Sequence, residues 1–260
     1  IMIDAGVLEN PKVDAALGLH IWTPLESGKI GLKSGATFAS MDIFKITVIG
    51  KGGHTGYPET AVDPVIAAAN IIQTAQILQT REISLLKPTV LVFSKINGGK
   101  ASNIIPDKVT INGSLRYLYE SDDRSSDHPS KRLKRIVQSV CETHNCSFEM
   151  EIERENIALI NDPEMVDLMH VAATVTLGDD RNVVEYVTMA GEDFSEFAKE
   201  VPSAFAFLGT GNKSKETNYP HHNPKFNIDE DVLLSGVELL VRSSLRYLKF
   251  NTGGGDSGST

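Results

Sequence analysis

Alternating apolar and polar positions predict an α+β unit in the middle of the chain. Residues 42–50 alternate in this way, which indicates a strand with one buried face. Similar β-rich runs and two stretches of helical spacing follow, with strands at 89–96, 108–118 and 147–154 and helices at about 64–81 and 129–144. The resulting order, β-α-β-β-α-β, is that of a ferredoxin-like four-stranded sheet under two helices.

The segments on either side of this unit have a different pattern. Residues 13–22 are mostly apolar and predict a buried strand that ends at His20. After residue 162 helices and strands alternate, which predicts α/β architecture, with elements at 165–177, 183–187, from Asp193, at 204–209 and at 229–248. We therefore expect an α/β domain built from residues 1–38 and 156–250, an inserted α+β domain over 39–155, and a flexible tail rich in Gly and Ser over 251–260.

Charge and composition exclude several classes of protein. The net charge is −9, from 25 basic and 34 acidic residues, so we expect no nucleic-acid partner. No apolar run approaches the roughly 18 residues of a membrane span. The two cysteines, Cys141 and Cys146, are too few for a disulfide framework and indicate a reducing, cytoplasmic location. The first residues read as the middle of a helix without an N-cap, so we expect a piece of a longer protein.

Two histidines are candidate metal ligands. His20 closes the first predicted strand, and His222 lies in a proline-flanked loop before the last helix. Neutral imidazole is a common ligand of transition metals, and distant loops can converge on one ion. Two histidines leave such a site incomplete, since a catalytic zinc normally has three protein ligands. The alternative interpretation is a core histidine at position 20 and a polar surface residue at 222.

Three residues of the central unit are candidates for binding an anionic substrate. His54 lies in a glycine-rich loop whose backbone can turn sharply, and Asn103 follows a second such loop. Arg116, on a predicted strand, has a planar guanidinium that suits bidentate binding of a carboxylate. A flexible hairpin tip and a surface arginine are the alternative interpretations.

A carboxylate stands at the entrance to the short helix near residue 193. Asp193 with Glu196 three residues later has the pattern of a capping box, so Asp193 is the expected N-cap and Glu192 lines the mouth between strand and helix. No nucleophile elbow, phosphate loop or dinucleotide fingerprint is present. His128, His144 and His170 are expected to be structural or surface residues, and both cysteines are expected to be reduced and inert.

Seven segments, taken together and in order, resemble the metal-dependent aminoacylase and carboxypeptidase family. The resemblance is strongest to its branch of hippurate hydrolases, N-acyl-amino-acid deacylases and auxin-conjugate hydrolases, and it covers nearly all of residues 1–250. The segments are Gly18-Leu-His20, Gly50-Lys-Gly-Gly-His54, Asp63-Pro64, Gly98-Gly-Lys-Ala-Ser-Asn103-Ile-Ile-Pro, Gly113-Ser-Leu-Arg116, Gly191-Glu-Asp-Phe-Ser195 and His222-Asn-Pro-Lys-Phe.

This resemblance implies an α/β catalytic domain with two divalent metal ions, which are zinc, manganese, cobalt or nickel, and an inserted domain that forms a homodimer. His20 and His222 match metal ligands, and His54 matches a histidine that polarises the scissile carbonyl, in many members within the partner subunit's site. Asn103 and Arg116 match substrate-binding residues, and Glu192 matches a carboxylate of the catalytic site. The family's bridging cysteine, further ligands and general-base glutamate belong to segments expected before Ile1.

The implied activity of the whole protein is hydrolysis of the amide bond in N-acyl amino acids, with hippurate-like or N-acetyl-amino-acid substrates. The chain by itself, with part of the ligand set, is expected to be inactive. Two alternatives remain open at this point. One is a non-catalytic homologue that dimerises or binds a ligand, and the other is a dipeptidase or carboxypeptidase.

Overall fold

The computed structural model describes residues 2–252 of the chain. Its strands are β1 (Ala16–Glu26), β2 (Ile30–Gly31), β3 (Gly35–Phe38), β4 (Ser40–Ile49), β5 (Gly53–His54), β6 (Thr89–Gly98), β7 (Ile104–Ile105), β8 (Lys108–Tyr117), β9 (Ser147–Asn156), β10 (Leu159–Asn161), β11 (Val183–Val184) and β12 (Ser203–Gly211). Its helices are α1 (Pro64–Thr74), α2 (Pro129–Thr143), α3 (Pro163–Leu177), α4 (Ser195–Glu200) and α5 (Leu233–Thr252). None of these described helices has both the length and the apolar character needed to cross a membrane.

The described residues form two compact units. Unit 1 contains the residues up to Phe38, those from Leu159 to Thr188 and those from Glu192 onward, whereas unit 2 contains Ala39–Ala158 and Met189–Gly191. The chain therefore leaves unit 1 after its first strands and returns to it after β9.

Unit 2 is a four-stranded antiparallel sheet with two helices packed on one face. The strand order is β6-β8-β4-β9, and every ladder between these strands is antiparallel. Alternate residues of β4 bury one face, and Phe44, Ile46 and Val48 are at most 1% exposed. This face forms one core with α1 and α2. The strands and helices that the sequence predicts here are confirmed, except that α1 ends at Thr74 and a short π turn follows.

Unit 1 is a mixed sheet whose central strand, β12, is buried along its whole length. The order is β1-β12-β2-β11, with β1 parallel and β2 antiparallel to β12. Ala206 and Leu208 of β12 join a core with α3 and α5. Phe207, which lies between Ala206 and Leu208, points to the opposite face of the sheet. There its ring stacks on Phe38, with the ring centroids 4.6 Å apart, and meets Trp22 edge-on, with the centroids 5.2 Å apart. The sheet thus has one helix-covered face and one aromatic face.

The register of β1 places His20 on the aromatic face. His20 lies opposite Phe207 in the parallel ladder, while Leu19 and Ile21 pack against the helices. Side chains alternate along a strand, so Gly18 is on the same side as His20. A Cβ added at Gly18 would lie 2.2 Å from the ring of Phe205, and glycine is therefore required for this close approach.

The prediction that the first strand ends at His20 is wrong, because β1 continues to Glu26. The sequence Thr23-Pro24 looks like a strand terminator. However, β1 is an edge strand of the described sheet, and its register shifts between Trp22 and Glu26, so the missing N–H of Pro24 interrupts no regular ladder. His20 consequently lies in the middle of the strand and reaches the site from a face of the sheet.

The capping prediction for Asp193 is also wrong. The helix α4 begins at Ser195, and its N-cap, Phe194, makes no side-chain cap hydrogen bond. The carboxylate of Glu192 accepts the N–H of Phe194 at 3.2 Å, and the backbone carbonyl of Asp193 accepts the N–H of Glu196 at 3.1 Å.

Two further boundaries in unit 1 differ from the prediction. The strand expected at 183–187 is only Val183–Val184. The last helix continues to Thr252, two residues into the predicted tail, and residues 253–260 of that tail lie outside the described residues. The helix at 165–177 and the strand at 204–209 are confirmed as α3 and β12.

Candidate functional site

The loop between β12 and α5 brings a histidine against His20. The rings of His20 and His221 meet edge to face with their centroids 5.5 Å apart. His221 also packs between Trp22, at 4.5 Å, and Phe226, at 5.2 Å. The ring in contact with His20 is therefore that of the residue before the predicted ligand His222.

Hydrogen bonds fasten this loop to β1 and to the start of α5. Thr23 Oγ1 donates to the carbonyl of Tyr219 at 2.8 Å. Asp229, which is 4% exposed, accepts hydrogen bonds from Ser27, Asn212 and Lys215. The Lys215 ammonium, followed by the two neutral donors, holds the pKa of the Asp229 carboxyl well below its usual range. The loop is thus held at both ends.

His222 has an unusual backbone conformation. Its φ of 65° lies in the left-handed region, which costs a residue with a Cβ roughly 1–2 kcal/mol. Such a conformation persists only where surrounding contacts impose it. The hydrogen bonds that Tyr219 and His221 make with β1 are contacts of this kind.

Glu192 is a half-buried carboxylate on the same unit. Burial raises its pKa above the usual range, whereas the Phe194 N–H and the charge of His20 act in the opposite direction. An acid with a raised pKa near an imidazole is a common feature of functional sites. Unit 1 therefore holds His20, Glu192 and the His221–His222 pair in one region.

The side chains of this region fit part of a metal site. The ring of His20 directs Nδ1 at the carbonyl oxygen of Ile21, 2.6 Å away, which leaves Nε2 as the nitrogen for an ion. Across residues 2–252, however, no three His, Cys, Asp or Glu side chains are grouped closely enough to hold a metal ion. The described residues therefore supply single donors and not a complete metal centre.

In unit 2 the structure brings His54 and Asn103 together. His54 pairs with Ile104 in the short β5–β7 ladder, and the Thr55 N–H donates to the carbonyl of Asn103 at 3.3 Å. His54 Nδ1 accepts the Gly56 N–H at 2.9 Å, so in the neutral ring the hydrogen is on Nε2. Both side chains are exposed, which leaves this N–H donor open to a ligand.

Arg116 lies near the end of β8, in the four-stranded sheet of unit 2 and not in the β5–β7 ladder. Its Nη1 donates to the carbonyl of Met189 at 2.8 Å. Lys108, at the start of β8 near the Asn103 loop, is separated from Arg116 by eight residues of extended strand, or about 27 Å at the usual rise per residue. Arg116 and the Lys108 end of β8 are thus too far apart for one small substrate to touch both.

His128 has the structural role expected of it, and both cysteines are free, as expected. His128 is 2% exposed and shares hydrogen bonds with Tyr117 and Arg154. Cys141 and Cys146 are free thiols, and burial raises the pKa of Cys141 to about 11, which keeps it protonated and unreactive.

His221 is the residue of this region that sequence reasoning missed. Two adjacent histidines in a loop suggest polar surface. The available signals were a tryptophan two residues after His20 and a phenylalanine shortly after the histidine pair. The rings of Trp22 and Phe226 offer faces on which one imidazole of the pair can pack.

A mixed α/β unit with histidines on one face of its sheet, interrupted by an α+β insertion, is the arrangement found in a class of metal-dependent hydrolases. Residues 1–246 match the profile of Peptidase family M20/M25/M40, and the chain belongs to this family. The resemblance drawn from the seven motifs is therefore confirmed.

Two curated relatives and one solved structure illustrate the similarity. Thermostable carboxypeptidase 2 of Saccharolobus solfataricus is 34% identical over 96% of this chain and 61% of its own length. IAA-amino acid hydrolase ILR1-like 4 of Arabidopsis thaliana is 32% identical over 95% of this chain and 56% of its own length. The Bacillus subtilis YXEP protein, a dinuclear metal binding peptidase from the M20 family, shares the fold, with a TM-score of 0.75, 24% identity, and coverage of 95% of this chain and 60% of that one. The chain thus spans about 60% of the length of the proteins it matches.

Proposed function

We propose that the whole protein is a metal-dependent amidohydrolase that cleaves the amide bond of N-acyl amino acids. The observation that carries this proposal is the family match over residues 1–246. Similarity to a hydrolase of IAA-amino acid conjugates favours a substrate that joins an acyl group to an amino acid.

His20 and His222 are the proposed metal ligands of this chain. The free Nε2 of His20 on the aromatic face supports its part in this set. Similarity to a dinuclear metal binding peptidase supports two ions, and zinc, manganese, cobalt and nickel all suit imidazole ligands. When bound, such ions polarise a carbonyl and lower the pKa of water. Glu192, whose pKa burial raises above its usual range, is the proposed carboxyl group of the site.

His54, Asn103 and Arg116 are the proposed substrate-binding residues. The Nε2–H of His54 donates to the carbonyl oxygen as negative charge develops on it, and loss of one such donor typically costs about 10²–10³ in rate. The amide of Asn103, carried by the adjacent loop, binds the same end of the substrate. The guanidinium of Arg116 binds the free carboxylate of the amino acid.

A homodimer through unit 2 accounts for the distance between these residues. Because about 27 Å of strand separates Arg116 from the Asn103 loop, a site that uses both needs His54 and Asn103 from a second copy. Strand β6 is an edge of the sheet with Val92 46% and Ile96 52% exposed. The opposite edge, β9, carries exposed glutamates at 149, 151, 153 and 155, whose repulsion opposes self-pairing. The proposed interface is therefore at β6.

Sedimentation of the purified chain tests this interface. Val92→Glu on β6 is expected to give monomers, whereas Glu149→Lys on β9 leaves the wild-type dimer intact. A monomeric wild-type chain, or a Val92→Glu variant that remains dimeric, would contradict a dimer through this edge.

The activity is tested on the whole protein loaded with zinc or manganese. We expect turnover of N-acetyl- or N-benzoyl-amino acids, and His54→Ala is expected to lower kcat by about 10²–10³. His144→Ala, a histidine of unit 2 that bonds Asn70, is the control and should retain normal turnover. Unchanged turnover in His54→Ala would remove this residue from the mechanism, and no hydrolysis of any acyl-amino acid would favour a ligand-binding homologue.

A carboxypeptidase activity is the second candidate, because a relative with that name is 34% identical. Faster cleavage of dipeptides than of acetyl-amino acids by the same preparation would favour it.

For this chain by itself we propose no hydrolytic activity and only weak metal binding. The support is that no three candidate ligands are grouped within residues 2–252. Calorimetric titration with zinc and with manganese is expected to show weak binding that a chelator reverses at once. A sub-micromolar affinity would show that the chain holds a complete site.

A further inference from the structure

The carbonyl oxygen of Ile21 faces two imidazoles. His20 Nδ1 lies 2.6 Å from it and His221 Nε2 lies 3.2 Å from it. A carbonyl oxygen has two lone pairs and only accepts hydrogen bonds, so each of these nitrogens carries a hydrogen. One backbone atom of β1 therefore links the strand histidine to the histidine of a loop that is 200 residues away in sequence.

This arrangement determines the tautomers of both rings. Neutral His20 has its hydrogen on Nδ1 and a lone pair on Nε2, and neutral His221 has the reverse. Histidines that bind metals usually donate their other N–H to a backbone carbonyl in this way. His20 is thus prepared to bind an ion through Nε2, whereas His221 uses Nε2 for the bond to Ile21.

The packing of His221 suits an anchor and not a ligand. Its ring lies between Trp22 at 4.5 Å, tilted by 34°, and Phe226 at 5.2 Å, tilted by 37°. The next residue, His222, has the left-handed φ of 65°, so the fixed ring at 221 sets the direction in which the backbone turns at 222.

We infer that His221 is a positioning residue, which, through the Ile21 carbonyl that it shares with His20, fastens the 218–226 loop to β1 and so orients His222 for a metal ion. This inference rests on the proposed metal-binding roles of His20 and His222. It assigns to His221 itself no contact with the ion or the substrate.

The tautomers are tested by nitrogen NMR of the metal-free chain with ¹⁵N-labelled histidine, at about pH 8, above the usual imidazole pKa. We expect a protonated Nδ1 and an unprotonated Nε2 for His20, and the opposite pattern for His221. A His20 ring protonated on Nε2 would overturn the shared carbonyl.

Two substitutions at position 221 separate hydrogen bonding from packing. His221→Phe retains a ring between Trp22 and Phe226 but has no N–H, and His221→Gln retains an N–H donor. Hydrogen exchange of the 218–226 amides is expected to be roughly five- to tenfold faster in His221→Phe and to return to within about twofold of wild type in His221→Gln. His170→Phe, at a histidine of α3 that is 43% exposed, is the control and should leave this loop unchanged. Equal exchange in all four proteins would overturn the positioning role.

Addition of zinc alone, in excess, tests whether His221 affects metal binding by the proposed ligands. In the wild-type chain we expect zinc to shift the ring nitrogen signals of His20 and His222, and in His221→Phe to shift only that of His20. Identical shifts in the two proteins would contradict the inference. If zinc shifts neither signal in the wild-type chain, the proposed metal-binding role fails, while the exchange experiment still decides whether His221 holds the loop.

Discussion

Thr23 on β1 and Tyr219 in the loop before α5 are 196 residues apart and are joined by a hydrogen bond of 2.8 Å. The Thr23 hydroxyl, on a side chain that is 3% exposed, donates to the Tyr219 carbonyl. This bond lies two residues before His221 and therefore helps to fasten the candidate ligand loop to the strand that carries His20.

Replacement of this hydroxyl by a methyl group should loosen the loop. Thr23→Val keeps the shape of the side chain but leaves the Tyr219 carbonyl without its donor, and we expect the free energy of unfolding of unit 1 to fall by about 1–2 kcal/mol. The fluorescence of Trp22, the only tryptophan, during urea unfolding measures it. Thr37→Val is the matched control, because the Thr37 hydroxyl is 3.5 Å from its acceptor, the carbonyl of Leu159, and should lose much less. Equal losses in both variants would contradict the role of the Thr23 bond.

The elements that the sequence predicts well are those with a regular period. The alternation along β4 and the helical spacing of α2 depend on one buried face each, so local pattern is sufficient to find them. The local sequence pattern fails where tertiary contacts determine the end of an element. Pro24 stops an isolated strand, but β1 passes through it because no described strand pairs with its outer edge.

The candidate site is predictable in its residue types and less so in its arrangement. Motif order points to His20 and His222, but no sequence pattern shows that Ile21 offers its carbonyl to two rings. The cap expected at Asp193 fails because α4 begins only at Ser195, with Phe194 as its N-cap. The short β5–β7 ladder that joins the His54 and Asn103 loops contains two residues in each strand, too few for any period to be seen.

Asp229 should stabilise unit 1 in a pH-dependent way. Its pKa is held well below the usual range by Lys215, Asn212 and Ser27. The stability that its charge contributes is fully present above the unfolded pKa of about 3.9 and is lost as the pH falls from there towards the lower folded value. We expect Asp229→Asn to lower the urea midpoint at neutral pH and the difference from wild type to shrink below about pH 4.

Asp231→Asn is the matched control for this experiment. Asp231 pairs with the same lysine but is 81% exposed, and surface ion pairs contribute little. We expect almost no change in the midpoint. An Asp231→Asn variant as unstable as Asp229→Asn would show that the ammonium, and not the buried carboxylate, carries the stability.

His128 should make unit 2 less stable in mild acid. Burial lowers its pKa, Arg154 lowers it further, and Asp42 and Asp123 act in the opposite direction. The folded state thus favours the neutral ring, and unfolding takes up a proton below the unfolded pKa of about 6.5. The free energy of unfolding is expected to fall as the pH falls below this value, and hydrogen exchange of the β8 amides measures it. His128→Asn should reduce the slope, and His170→Asn, at an exposed histidine, should retain it; a wild-type slope in His128→Asn would assign the effect to another group.

His222 should be a site where a glycine stabilises the metal-free chain. Its φ of 65° costs a histidine roughly 1–2 kcal/mol, a strain that glycine does not have, while glycine gives the unfolded chain about 0.5–1 kcal/mol of additional entropy. We therefore expect His222→Gly to unfold at an equal or higher urea concentration, with a gain of up to about 1 kcal/mol. Asn218→Gly, in the same loop at an exposed residue without a positive φ, should lose about 0.5–1 kcal/mol because it has the entropic cost alone. If His222→Gly is destabilised as much as Asn218→Gly, the left-handed backbone at position 222 stores no strain, and the loop does not impose the conformation that orients its imidazole.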